Sequence, residues 1–225
     1  KSKQFYQNLK KTQKIFNFFR SDLKNFEIPL LKCYEKDYTF DFSPTTVKKF
    51  SKYKNIVVIG MGGSILGTKS IYSFLKKSIK KEVFFFDNLD LNLNLEYRKI
   101  KNLKNSCFIV ASKSGKTIET IINLGTIFSK NLLKNKLIII AEPTDNALMV
   151  IANKYNAEII QHKEFISGRY SVLSETGMFP AALMGLNLMK FKNLKRLIKN
   201  KNFTSTLIQN VACIYTLISK KINNS

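Results

Sequence analysis

NIVVIGMGGSILGTKS, residues Asn55–Ser70, runs a solidly apolar stretch straight into a cluster of glycines. Apolar residues without polar alternation, Ile56 to Ile59, describe a strand covered on both faces, as in a parallel sheet. The glycines invite a dinucleotide reading, and their spacing argues against it. G-x-G-x-x-G is met at Gly60 and Gly62, but Ile65 stands where the third glycine belongs. Gly62 and Gly63 are adjacent and followed by the hydroxyl of Ser64, with Gly67 beyond. Glycines can serve close strand–helix packing alone; the adjacent pair and its hydroxyl favour amides presented to a bound polar molecule.

Outward from this stretch the pattern repeats. Short apolar runs recur at EVFFFD (82–87), CFIVAS (107–112), LIIIAE (137–142) and AEII (157–160). Helical spacing falls between them, near 66–79, 92–101, 117–130 and 144–155. Strand and helix in alternation predict an α/β chain with a doubly wound, five-stranded parallel sheet flanked by helices. An N-terminal helical extension precedes it: Phe5, Leu9, Ile15, Phe16 and Phe19 give residues 1–26 an amphipathic pattern. A polar stretch containing Pro44 follows, with Thr45 or Thr46 expected to open a short helix. After residue 160 the pattern turns helical, roughly over 170–190 and 203–221.

Composition narrows the function classes. With 225 residues and 44% hydrophobic content the chain can bury a substantial core. It holds no apolar run of the roughly 18 residues that a membrane span requires, and its start lacks the apolar centre of a secretory signal. The 3 cysteines, Cys33, Cys107 and Cys213, include no C-x-x-C pair, so reduced thiols and a cytoplasmic setting are expected. A net charge of +23 raises the question of nucleic acid. Yet arginine occurs only at Arg20, Arg98, Arg169 and Arg196, and the lysines are scattered through every segment. That is compositional bias rather than a phosphate-tracking patch, so neither nucleic acid nor membrane is expected as a partner. The positive field would still steer small anions.

In an open parallel sheet, ligands sit beyond the carboxyl ends of the strands where the winding reverses. For the order 2-1-3-4-5 that point lies between strands 1 and 3. The unusual loops of this chain follow those two strands: GMGGS (60–64) and SKSGKT (112–117). The second gathers Ser112, Ser114 and Thr117 around Gly115 just before a helix, with Lys113 and Lys116 adding charge. Hydroxyls, open amides and a helix N-terminus form a cradle suited to a phosphate monoester. Only SGKT of the Walker pattern is present, so this is not a P-loop. An ordinary Ser/Thr helix cap explains the loop equally well in isolation; beside the glycine turn, the cradle is preferred.

These motifs, with SGRYSVLSETG (167–177), resemble the glucose-6-phosphate isomerase family across roughly residues 50–190. The resemblance implies a flavodoxin-like sugar isomerase (SIS) domain and interconversion of glucose 6-phosphate and fructose 6-phosphate through a cis-enediolate, without metal or organic cofactor. It implies that Ser112, Lys113, Ser114 and Thr117 hold the phosphate, that Gly63 and Ser64 touch the sugar, and that Gly62, Gly115, Lys116 and Gly168 also belong to the substrate-binding set. Arg169 would stabilise the enediolate as the catalytic residue, since a fixed guanidinium aimed at developing charge lowers the barrier. A surface salt bridge is the competing role for Arg169. Lys116 stands where the family usually carries a small hydroxyl residue, and Ser167 replaces the first of two glycines. The family usually forms homodimers.

The family's proton-transferring glutamate, ring-opening histidine and late lysine come from regions downstream of GRYS. Locally, His162 reads as a solvated loop residue, and Glu164 and Glu175 as helix-surface charges, Glu175 on the face of the following helix. The expected organisation is therefore a helical extension at 1–44, an SIS sugar-phosphate domain at 45–190, and a helical segment at 191–225 leading to a second SIS domain. The chain opens on Lys1 and closes just after a helical pattern, so it reads as the N-terminal portion of a longer enzyme, inactive alone. The competing function is a non-catalytic sugar-phosphate sensor built on the same domain.

Overall fold

A computed structural model describes residues 2–25, 28–35, 37–90, 93–127, 135–192 and 194–222. Parts of the expected helices, residues 1, 26, 92 and 128–130, lie outside the described residues. The chain divides into two compact units, residues 37–188 and a second made of 1–36 with 189–225.

The larger unit holds a parallel sheet of β1 (Asn55–Gly60), β2 (Glu82–Phe86), β3 (Ser106–Ala111), β4 (Leu137–Ala141) and β5 (Glu158–Gln161), in the order β2-β1-β3-β4-β5. Register is fixed by pairs such as Gly60 with Ala111 and Ala111 with Ile140. Every residue of β1, β3 and β4 is buried, which explains their unbroken apolar runs. Successive side chains still divide between two layers. Ile56, Val58, Ile109 and Ile138 join one core cluster with Phe50 and Phe179. Val57, Ile59, Phe108 and Val110 join the other, with Leu124 and Leu148. Each such fully buried side chain contributes about 1.5–3 kcal/mol.

Around the sheet lie α2 (Pro44–Ser51), α3 (Gly63–Leu75), α4 (Leu93–Arg98), α5 (Ile118–Ile127), α6 (Ala147–Tyr155) and α7 (Glu175–Leu183). Ser43, rather than Thr45 or Thr46, opens α2: its hydroxyl accepts from the Thr46 amide at 3.0 Å, and Pro44 takes the first helical position. The helix expected over 170–190 is broken. A 3-10 turn spans Gly168–Leu173, α7 follows, and Gly185 at φ +82° closes it before a second 3-10 turn at Leu188–Phe191. Pro180 inside α7 cannot donate to the Thr176 carbonyl one turn earlier. Thr68 of α3 takes that place, its buried hydroxyl donating to Thr176 O at 3.2 Å.

The smaller unit pairs α1 (Lys3–Asn25) with α9 (Lys201–Ile222), and also contains α8 (Leu194–Lys199). Phe5, Asn8, Thr12 and Phe16 form a buried stripe of α1, and Ile208, Ala212 and Thr216 one of α9. Asn8 Nδ2 donates to Thr216 Oγ1 at 3.0 Å, satisfying a polar pair within the helix contact. Among the described residues no helix is long and apolar enough to cross a membrane.

Candidate functional site

The two turns at the carboxyl ends of β1 and β3 are built from backbone first. Gly60 pairs with Ala111, so the turns leaving these strands emerge side by side. The first enters α3 at Gly63, after Gly62 at φ +53°, a conformation that glycine adopts without cost. The second continues the ladder for one more residue, Ser112 N donating to Ile140 O at 3.0 Å, and then turns at Gly115. Gly115 sits at φ +63°, and a Cβ there would lie 2.0 Å from Asn146 Oδ1. Asn146 in turn caps α6 and donates to the carbonyls of Glu142 and Thr144. The loop is thus wedged against its neighbour.

Within the loop, Ser112 Oγ and Thr117 Oγ1 are 2.9 Å apart, and the Lys116 amide donates to Ser114 Oγ at 3.3 Å. Among the described residues the amides of Lys113, Ser114 and Thr117 have no acceptor. Thr117 immediately precedes α5, whose first turn carries its own open amides. Hydroxyls and donors therefore gather at one helix terminus, the composition of an anion cradle. The lysine side chains differ. Lys113 Nζ donates to the Glu164 carbonyl at 2.6 Å and lies 3.4 Å from Glu142 Oε1, so its ammonium is already engaged. Lys116 is exposed.

The third motif joins through Gly63. A Cβ on that residue would lie 2.2 Å from the Gly168 carbonyl oxygen and 2.7 Å from the Arg169 nitrogen. Only glycine permits this approach. Ser171 Oγ reaches the Gly63 and Gly168 carbonyls at 3.3 and 2.8 Å, and a Cβ on Gly67 would lie 2.7 Å from the Val172 side chain. Gly63, Leu66, Gly67, Ser70, Arg169 and Val172 line an open cavity of about 400 Å³. Arg169 is exposed in the 3-10 turn, and Ser64 lies in the first turn of α3.

The glycine turn meets the GRYS segment at Gly63, and the SKSGKT loop leaves the strand paired with β1; a family model described as phosphoglucose isomerase matches residues 35–225. The chain belongs to the phosphoglucose isomerase family. The glucose-6-phosphate isomerase of Methanocaldococcus jannaschii is 35% identical over 159 residues, covering 69% of this chain and 39% of that relative. The glucose-6-phosphate isomerase of Mesomycoplasma hyopneumoniae strain 232 is 33% identical over 177 residues, 72% of this chain and 41% of its own. The chain thus spans about 40% of the length of these relatives. Among solved structures, a hypothetical protein from Thermus thermophilus superposes with a TM-score of 0.71 at 18% identity, over 94% of this chain and 55% of that one, which shows the fold. The glucose-6-phosphate isomerase from Chlamydia trachomatis gives a TM-score of 0.52 at 25% identity, over 64% of this chain and 29% of its own.

Two side chains differ from what their sequence context implies. His162 is not a solvated loop residue: it is buried at 1% exposure just past β5. Its Nδ1 donates to the Lys163 carbonyl at 3.1 Å, leaving Nε2 as a buried lone pair without a partner among the described residues. Burial, and secondarily the nearby Lys113 charge, holds its pKa below the ordinary histidine value. Glu175 is not a helix-face charge either. It is fully buried at the start of α7, where Tyr38 Oη donates to both carboxyl oxygens at 3.0 Å and the Asp41 amide to Oε1 at 3.2 Å. Burial pushes its carboxyl up, against those hydrogen bonds. Both groups carry a perturbed pKa that local periodicity could not signal, because their surroundings come from distant segments. Glu164, by contrast, is exposed, as expected.

Proposed function

We propose that this chain supplies the phosphate-binding half of an aldose–ketose isomerase that interconverts glucose 6-phosphate and fructose 6-phosphate through a cis-enediolate. The supporting observation is the close approach of Gly63 to Gly168 and Arg169, beside a loop whose strand pairs with the same β1. The phosphate would accept hydrogen bonds from the hydroxyls of Ser112, Ser114 and Thr117 and from the open amides of Lys113 and Ser114, with Gly115 and Lys116 completing the turn around it. The sugar would lie along Gly62, Gly63, Ser64 and Gly168. Arg169 would face the carbon atoms that exchange a proton, where its guanidinium offsets the negative charge of the enediolate.

Isomerisation also requires a base and a group that opens the sugar ring. We assign neither to this chain. Glu175 is enclosed by Tyr38 and Asp41, and His162 is buried. The matched relatives are more than twice as long as the stretch they share with it, leaving ample sequence to supply both groups. By the same proposal the complete enzyme is a cytoplasmic homodimer.

Calorimetric titration of the 225-residue chain with fructose 6-phosphate, beside a coupled isomerase assay, tests the reading. Weak, saturable binding without turnover is expected. Absence of binding would refute the phosphate cradle. Turnover abolished by Glu175→Gln or His162→Ala would refute the assignment of the base outside this chain.

A further inference from the structure

The loop proposed to hold phosphate carries a carboxylate beside it. Glu142, one residue past β4, places Oε1 3.4 Å from Lys113 Nζ, and its own amide donates to the Lys113 carbonyl at 2.9 Å. The same ammonium donates to the Glu164 carbonyl at 2.6 Å, beyond β5. Lys113 is therefore gripped at both ends, by its main chain and by its side chain. The contacts extend the sheet's own ladder: Ser112 N to Ile140 O at 3.0 Å, Glu142 N to Lys113 O at 2.9 Å, His162 N to Ala141 O at 2.8 Å. The ion pair is half sheltered, with 32% and 20% of the two side chains exposed.

A carboxylate at an anion site should repel its ligand. Its presence makes sense if the lysine serves as a strut whose charge is spent on Glu142, with the amides of Lys113 and Ser114 left open. We propose that Glu142 is a positioning residue for the phosphate loop, holding Lys113 so that the loop's amides, rather than the lysine ammonium, meet the phosphate. This inference rests on the phosphate-binding reading of the loop.

The sign of one substitution decides it. Glu142→Gln removes a negative charge from an anion site, so electrostatics alone predicts tighter binding. The strut predicts the reverse. Fructose 6-phosphate is titrated by calorimetry into the unaltered chain, Glu142→Gln, Lys113→Met and the double variant, with melting curves confirming that each is folded. Each single substitution is expected to weaken binding about threefold, the loss that follows from a partly exposed ion pair. The double variant is expected to bind no worse than either single one, because both break the same link. Binding that strengthens or stays level in Glu142→Gln, or losses that add in the double variant, would overturn the proposal. If the unaltered chain binds no fructose 6-phosphate, the underlying phosphate reading fails, and this inference with it. Should Glu142→Gln unfold the loop outright, Glu142→Asp provides the second measurement. It keeps the charge but shortens the reach, and unchanged affinity there would also overturn the strut.

Discussion

Replacing Gly63 with alanine tests the convergence of the site through a single methyl group. Its Cβ would meet Gly168 O at 2.2 Å, Gly168 C at 2.4 Å and Arg169 N at 2.7 Å, where ordinary contact begins at 3.4 Å. These are backbone atoms, so no side chain can swing aside. Either α3 or the turn carrying Arg169 must retreat by about 1 Å, against the contacts that hold the two together, such as Ser171 Oγ with the Gly63 carbonyl. Overpacking of this kind costs about 1–3 kcal/mol. For a chain of this size each kcal/mol lowers the melting temperature by about 2–4 °C, so a loss of roughly 5 °C is expected. Displacement of Gly63 and Gly168, along which the sugar would lie, should also weaken fructose 6-phosphate binding, on the order of tenfold. The control is Gly125→Ala, an exposed position in α5 with nothing within 4 Å of the new methyl. It should gain about 0.5–1 kcal/mol from the reduced entropy of the unfolded chain. Thermal melting by circular dichroism and calorimetric titration of both variants measure the contrast. A Gly63→Ala chain that melts no lower than the unaltered one and binds equally well would refute the contact between the glycine turn and the GRYS segment.

Other perturbations probe separate links. Gly115→Ala combines a left-handed backbone with a clash against Asn146, so it should abolish sugar-phosphate binding and cost about 1–3 kcal/mol, read in the same melts. Thr68→Val leaves the Thr176 carbonyl without its donor behind Pro180 and should destabilise by about 1–3 kcal/mol in urea denaturation; a neutral result would show that the carbonyl is satisfied otherwise. Because burial raises the Glu175 pKa, its contribution to stability is full below the ordinary carboxylate value of about 4.5 and is lost as pH rises through the folded value. Stability relative to Glu175→Gln should therefore fall as pH is raised from about 4 to 7; a relative gain over that range would reverse the sign assigned to its environment. In a chain long enough to turn over, Arg169→Ala should lower kcat with little change in KM, whereas the opposite pattern would make Arg169 a ligand anchor.

The sheet was legible because its central strands are buried on both faces, leaving runs such as IVVI and LIIIA that periodicity cannot confuse with surface strands. The switch-point loops were legible from glycine and hydroxyl chemistry. What escaped depends on contacts between distant residues. Glu175 looks like a surface charge because its partners, Tyr38 and Asp41, lie more than 130 positions earlier. Helix α7 is buried on nearly every side, so it has no polar face to mark its limits, and a continuous apolar pattern was extended through Ser174 and Gly185. The engagement of Lys113 was equally invisible, since a lysine in a phosphate loop looks the same whether its charge is available or spent on Glu142.

The pairing of α1 with α9 has a consequence for synthesis. Asn8 and Thr216 are 208 positions apart, so during synthesis α1 waits for α9. At about 5–20 residues per second, that interval is on the order of ten to forty seconds. The middle of the chain can build its sheet in that time, while the apolar stripe of α1 has no α9 to bury it. That stripe therefore stays exposed on the nascent chain until α9 has been made. If several chains accumulate before release, the α1 of one copy can equally take the α9 of another. Exchange between copies is thus the misassembly to which the order of translation exposes this chain, and slower elongation would lengthen the exposure.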